Sequence, residues 1–140
     1  VPPSETAQEL QSTIDTFVAA VPGVLAAALG TSDGLLVTGS GALERGYGDE
    51  LAAVACGLVS IVSGSTIRIW DDDRVQFAVA RLSQRILMVK PVVDGSILAV
   101  VTASTADVDA IGAEVGVLVQ KIGQQLTPAL REELQQALPL

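Results

Sequence analysis

DELAAVACGLVSIVSGSTI, residues 49–67, is the stretch on which the reading of this chain turns. Asp49 and Glu50 complement the positive end of a helix dipole and mark a helix start, and the run continues as helix through at least Val62. At roughly 100° per residue, Leu51, Val54, Ala55, Leu58, Ile61 and Val62 gather on one side, which is expected to face a sheet. The opposite side carries Ala53, Cys56, Gly57, Ser60 and Ser63. From Leu51 through Ile67 there is no charged side chain, whereas the exposed face of an ordinary surface helix carries several. A back face this small and uncharged predicts a second helix lying against it.

Upstream, Leu10, Ile14, Phe17, Val18 and Val21 recur at helical spacing and stop at Pro22-Gly23. This predicts a first helix capped by Ser4 or Thr6, with Thr6 and Glu9 at capping-box spacing and Gln11 on the polar side. Val24 to Leu29 and Leu35 to Val37 are short apolar runs around Thr31-Ser32-Asp33-Gly34, and Asp-Gly favours the positive-φ turns of hairpins. Both strands are apolar at consecutive positions, so both sheet faces should be covered. Gly39 to Gly48 reads as loop.

Downstream, Thr66 to Trp70 fits a strand or a helix tail equally well, and Asp71-Asp72-Asp73 reads as a loop. Val75, Phe77 and Val79 alternate with Gln76, Ala78 and Ala80, the period-two pattern of a half-buried strand. Ile86 to Val89 and Ile97 to Ala103 are further strands joined by Val93-Asp94-Gly95-Ser96, with Pro91 at a strand end. Asp107 opens a helix whose apolar face is Val108, Ile111, Val115, Leu118, Val119, Ile122 and Leu126; Gly112 and Gly116 on it allow a close neighbour. Past Thr127-Pro128, residues 129–138 are expected to add a short peripheral helix.

Composition narrows the function classes. At 140 residues the chain has the size of one domain, read as a core of about 10–126 with a peripheral extension over 127–140. Apolar residues make up 49%, but only one Trp, one Tyr and two Phe are among them, so the core is built from Val, Leu, Ile and Ala. A net charge of −8 repels phosphate backbones and anionic lipid, which speaks against nucleic-acid or direct membrane binding. No apolar run approaches the roughly 20 residues of a membrane span, and the opening residues do not read as a signal segment. The chain does not begin with Met, so residues can precede Val1. The lone Cys56 forms no intrachain disulfide, and with no histidine a histidine base and the usual zinc spacings are excluded. A cytoplasmic protein without cofactor or metal is the expectation.

The order is thus helix-β-β-helix-β-β-β-helix, with the first and third helices on one sheet face and the second on the other. Within it, Val21-Pro22-Gly23-Val24, Thr31-Ser32-Asp33-Gly34-Leu35-Leu36-Val37, Leu51-Ala52-Ala53-Val54-Ala55 and Asp94-Gly95-Ser96-Ile97-Leu98-Ala99-Val100 are strings in fixed order. Together they resemble the roadblock family of dynein light-chain relatives, especially its bacterial members that accompany a small GTPase. The resemblance implies an α/β fold of the α+β type, roadblock/profilin-like, with a five-stranded antiparallel sheet. It also implies a homodimer formed by the third strand and second helix, and partners among small Ras-like GTPases or signalling and motility complexes.

Single features offer little competing chemistry. Gly46-Tyr47-Gly48 lacks the third glycine of a dinucleotide fingerprint, and no Gly-Lys-Ser/Thr string occurs. Cys56 has no base to activate it and reads as a packing thiol. Asp71 to Asp73 reads as a solvated turn rather than a calcium loop. Arg74, Arg81 and Arg85 flank the third and fourth strands, where edge protection and partner contact explain them equally. The expected protein is a non-enzymatic dimer with no catalytic residue. Its self- and partner-interface is expected to comprise Ala52, Ala53, Cys56, Gly57, Ser60, Ser63, Val75, Phe77 and Val79.

Overall fold

A computed structural model of the chain describes residues 5–40, 43–92, 95–130 and 132. Helix α1 spans Glu5–Ala20, strands β1 and β2 Val24–Gly30 and Leu36–Gly39, and helix α2 Arg45–Trp70. Strands β3, β4 and β5 cover Ala78–Arg81, Arg85–Pro91 and Ile97–Ala103, and helix α3 covers Val108–Gln125. The five strands form one sheet in the order β2-β1-β5-β4-β3, every neighbouring pair antiparallel. The predicted element order and layering are those observed.

The long apolar runs occupy the centre of the sheet, where both faces are covered. Leu10, Ile14 and Phe17 of α1 and Ile111, Val115, Leu118 and Ile122 of α3 close over Leu29, Ile86, Met88, Leu98 and Val100. On the other face α2 covers Leu87, Val89, Ile97 and Ala99 through Ala55, and Ala28 and Leu36 through Ala52. Each large aliphatic side chain so buried contributes about 1.5–3 kcal/mol. The hairpin turn before α2 places Gly34 at φ +87°, and the later one places Gly95 at φ +92°, conformations that cost a glycine little. Asp107 caps α3, its carboxylate accepting from the Ala110 amide at 3.2 Å.

Several expectations are corrected. Helix α1 already includes Glu5, which leaves Thr6 inside the helix rather than capping it; Ser4 lies outside the described residues. Gln11 is not on a free polar face. It is half-buried, donates to the Gly39 carbonyl and to Asp15 (3.3 Å), and accepts from the Thr38 hydroxyl, tying α1 to β2. Helix α2 starts four positions before Asp49, inside the expected loop, and absorbs Thr66 to Trp70. At 26 residues and a mean hydropathy of 1.6 over its most apolar part, it is long and apolar enough to cross a membrane by length and composition, contrary to the sequence expectation. Of the expected peripheral helix, residues 128–130 and 132 are helical, with Thr127 accepting from the Leu130 amide (3.1 Å) and Leu130 buried on the core; the remainder lies outside the described residues.

The larger correction concerns the direction α2 faces. Ala52 and Ala55 point to the sheet, with Leu51, Cys56 and Val59 packed beside them and Ser63 turned to the Val75 amide, whereas Val54, Ile61 and Val62 point away. The helix is turned by roughly a quarter revolution from the orientation that places its largest side chains inward. Close approach is the cause. A Cβ on Gly30 would stand 2.9 Å from the Ala52 Cβ, so the helix axis lies too near β1 for Leu or Ile to fit between.

Candidate interaction face

The rotation of α2 leaves Val54 (53% exposed), Ile61 (74%), Val62 and Ile69 on a bare outward surface without a charged side chain before Arg68, while Trp70 (62%) is exposed at the C-terminal end of the helix, on the side opposite Ile61. A monomer gains nothing by exposing side chains of this size, and a continuous apolar strip of this kind marks an interaction site. Leu35, at the β1–β2 turn, extends the strip on one side. That turn is held on α2 by the Cys56 thiol, which donates to the Ser32 carbonyl at 2.7 Å.

At the far end of α2 the chain reverses through Asp71 and Asp72, both in the left-handed region at φ 51° and 64°. Aspartate tolerates that conformation better than most residues. The next segment is tied back onto the helix: the Val75 amide donates to the Ser63 hydroxyl (3.0 Å), and the Thr66 hydroxyl donates to the Asp73 carbonyl (2.5 Å). Strand β3 therefore begins only at Ala78, three residues later than the alternation at Val75 predicts. It is the outermost strand, so its outer backbone edge is unpaired among the described residues. Phe77, Val79 and Leu82 stand exposed along that edge. The Phe77 ring is also the neighbour that a Cβ on Gly112 would meet, at 3.6 Å, and Lys90 Nζ sits 5.9 Å from its centroid. Gly112 thus has the close neighbour its type suggests, whereas Gly116 faces open space.

The expected interface residues divide accordingly. Ala53, Gly57 and Ser60 lie on the outward side of α2, and Phe77 and Val79 along the open edge. Ala52 and Ser63 are buried inside the chain, Cys56 is covered by the β1–β2 turn, and Val75 is half-buried beside Ser63. Residue-by-residue reading missed Val54, Ile61, Val62, Ile69, Trp70 and Leu82. The signal that could have found them is the missing charge itself: a helix uncharged all round has two faces to bury, and the sheet takes only one.

Charge is distributed unevenly about this face. Arg74 pairs with Asp72 at 2.8 Å, whereas Asp71, Asp73, Arg81 and Arg85 are exposed and make no ion pair among the described residues. No cluster of three metal-ligating side chains occurs among the described residues. Grooves on the opposite side of the molecule include a cleft of about 320 Å³ between α1 and α3 around Thr16, Phe17, Glu114 and Lys121, and one of about 490 Å³ around Pro22, Gly23 and Asp107.

Residues 10–102 match the sequence model of the family described as Roadblock/LC7 domain. Among solved structures, a Roadblock/LC7 domain from Streptomyces avermitilis is 31% identical, with a TM-score of 0.75 over 80% of this chain and 92% of that one. MglB from Myxococcus xanthus superposes with a TM-score of 0.76 over 91% of this chain and 97% of its own, at 12% identity, a likeness of fold. Acanthamoeba castellanii profilin IB shares the architecture more distantly, with a TM-score of 0.54, 17% identity, and 83% and 98% of the two chains covered. No curated protein matches the sequence.

Proposed function

Since the chain belongs to the Roadblock/LC7 family, we propose that it is a cytoplasmic, non-enzymatic regulator that works as a homodimer, binds a small Ras-like GTPase and modulates its GTP hydrolysis. The observation that carries the reading is the outward face of α2, with Val54, Ile61, Val62 and Ile69 bare and a β3 edge beside it that is unpaired among the described residues. Two copies that pack α2 against α2 and join their β3 edges bury both liabilities at once, at about 25 cal/mol for each Å² of apolar surface removed from water. The joined helices form an apolar centre within charged loops, a surface in which burial supplies affinity and the rim selects the partner.

The protein's effect on turnover works by positioning the GTPase's own catalytic groups. The test mixes the protein with small Ras-like GTPases loaded with GTP and follows binding by calorimetry and hydrolysis by phosphate release. Binding with altered hydrolysis is the expected result. Binding with unchanged hydrolysis replaces the regulator by a structural adaptor for a signalling or motility complex, and no binding to any GTPase overturns the reading.

A further inference from the structure

We propose that the two copies are held in register by a reciprocal charge clamp, in which the β3–β4 hairpin tip of each copy, with Arg85 on the α2 side of the sheet, faces the Asp71–Arg74 turn of the other. The inference rests on the dimeric reading above and adds to it the groups that choose one alignment among several.

Symmetry constrains the arrangement first. If α2 meets its own copy on one sheet face while β3 meets β3 at the edge, the two-fold axis runs perpendicular to the sheet, and the paired strands are antiparallel. Antiparallel pairing exchanges ends: the segment N-terminal to β3 in one copy lies beside the segment C-terminal to β3 in the other. Those ends are oppositely charged. Residues 71–74 hold three aspartates and one arginine, a net charge of −2, while residues 81–85 hold two arginines and no acid, a net charge of +2. The segment after β3 that begins at Leu82 in one copy therefore lies toward the segment before β3 in the second.

The side of the sheet agrees as well. Arg85 alternates with Ile86 and so shares its face with Leu87 and Val89, the face that α2 covers, whereas Arg81, paired with Ile86, lies on the other face and adds only its charge; Asp71–Asp73 is the turn that ends α2. Arg74 is already engaged by Asp72, which leaves Asp71 and Asp73 as the acids of this turn without an ion-pair partner among the described residues. The tip itself is built: the Leu82 amide donates to the Arg85 carbonyl at 2.8 Å and fixes where both arginines leave the hairpin. A device of this kind has work to do, because an edge of four residues specifies strand register weakly through backbone pairing alone.

The experiment measures the dimer dissociation constant by sedimentation equilibrium at low and high salt. It uses the intact chain, Arg85→Glu, Asp73→Arg, the doubly exchanged Arg85→Glu/Asp73→Arg, and Lys121→Glu as a control of equal charge change on α3. Reversing one partner turns attraction into repulsion at both symmetric ends, so each single exchange should weaken the dimer about tenfold at low salt and flatten its salt dependence. The double exchange should restore both, and Lys121→Glu should stay close to the unaltered chain. Circular dichroism melts confirm that the exposed substitutions leave the fold intact. A dimer whose constant does not move in Arg85→Glu, or whose loss the second exchange does not repair, overturns the clamp. An unaltered chain that stays monomeric at every concentration overturns the dimer, and the clamp with it, and its mass distinguishes that result from the others.

Discussion

Gly30 and Ala52 meet so closely that the contact leaves room for one methyl group and no more: a Cβ on Gly30 would lie 2.9 Å from the Cβ of Ala52 and 3.3 Å from the Leu35 carbonyl oxygen. This contact sets the distance between α2 and the sheet. Ala52→Leu should therefore destabilise the fold by about 1–3 kcal/mol, the usual cost of overpacking, and lower the melting temperature by several degrees. Ala53→Leu, one residue along and outward, should leave it nearly unchanged. Equal effects of the two in thermal melts would mean that the face of α2 is misassigned.

Ile61 faces away from the sheet and is 74% exposed. Ile61→Arg should abolish self-association in light scattering while the monomer keeps its circular dichroism spectrum, because the new charge meets water in the monomer and another helix in the dimer. An undiminished dimer mass would place the interface elsewhere.

Gln11 joins Thr38 and Gly39 of β2 to α1 through its two amide atoms. Gln11→Ala leaves a nearly buried hydroxyl and a carbonyl short of a partner, which should cost about 1–3 kcal/mol in urea unfolding. Gln8→Ala, one turn earlier and exposed, should cost less. A silent Gln11→Ala would mean that solvent replaces both bonds.

Asp107 caps α3 by accepting from the Ala110 amide. Asp107→Ala should cost about 1 kcal/mol and Asp107→Ser much less, since serine supplies the same acceptor. Chemical denaturation of both variants checks the order.

How much of the fold and of the interaction face is legible in the sequence depends on where the deciding contacts lie along the chain. Strand β5 runs from Ile97 to Ala103 as read, because a continuous apolar run between an Asp-Gly turn and a helix cap carries its own boundaries. Asp107 identifies its helix for the same local reason. Strand β3 is misplaced by three residues in a sequence reading, since Val75 and Phe77 alternate properly but the segment is drawn onto α2 by Ser63 and Thr66, a tie between positions 12 and 7 residues apart. The orientation of α2 escapes such a reading because both its sides are uncharged and the constraint that decides between them, Gly30 against Ala52, comes from another element. Gln11 looks free for a similar reason: its partners lie 27 and 28 residues away. Of the outward face of α2 and the open β3 edge, Ala53, Gly57, Ser60, Phe77 and Val79 are reached from the sequence, and the large outward side chains are not.

Trp70, at the solvent end of α2, is the chain's one tryptophan and is 62% exposed. Its indole is therefore an intrinsic fluorophore that reads contact with other molecules rather than the integrity of the core. Unfolding moves it from water to water and should shift its emission little, whereas a molecule that settles over the C-terminal end of α2 removes it from water and should shift the emission to the blue. Assembly and unfolding, which are hard to separate in most proteins of this size, can be followed here as two distinct signals from one unlabelled sample.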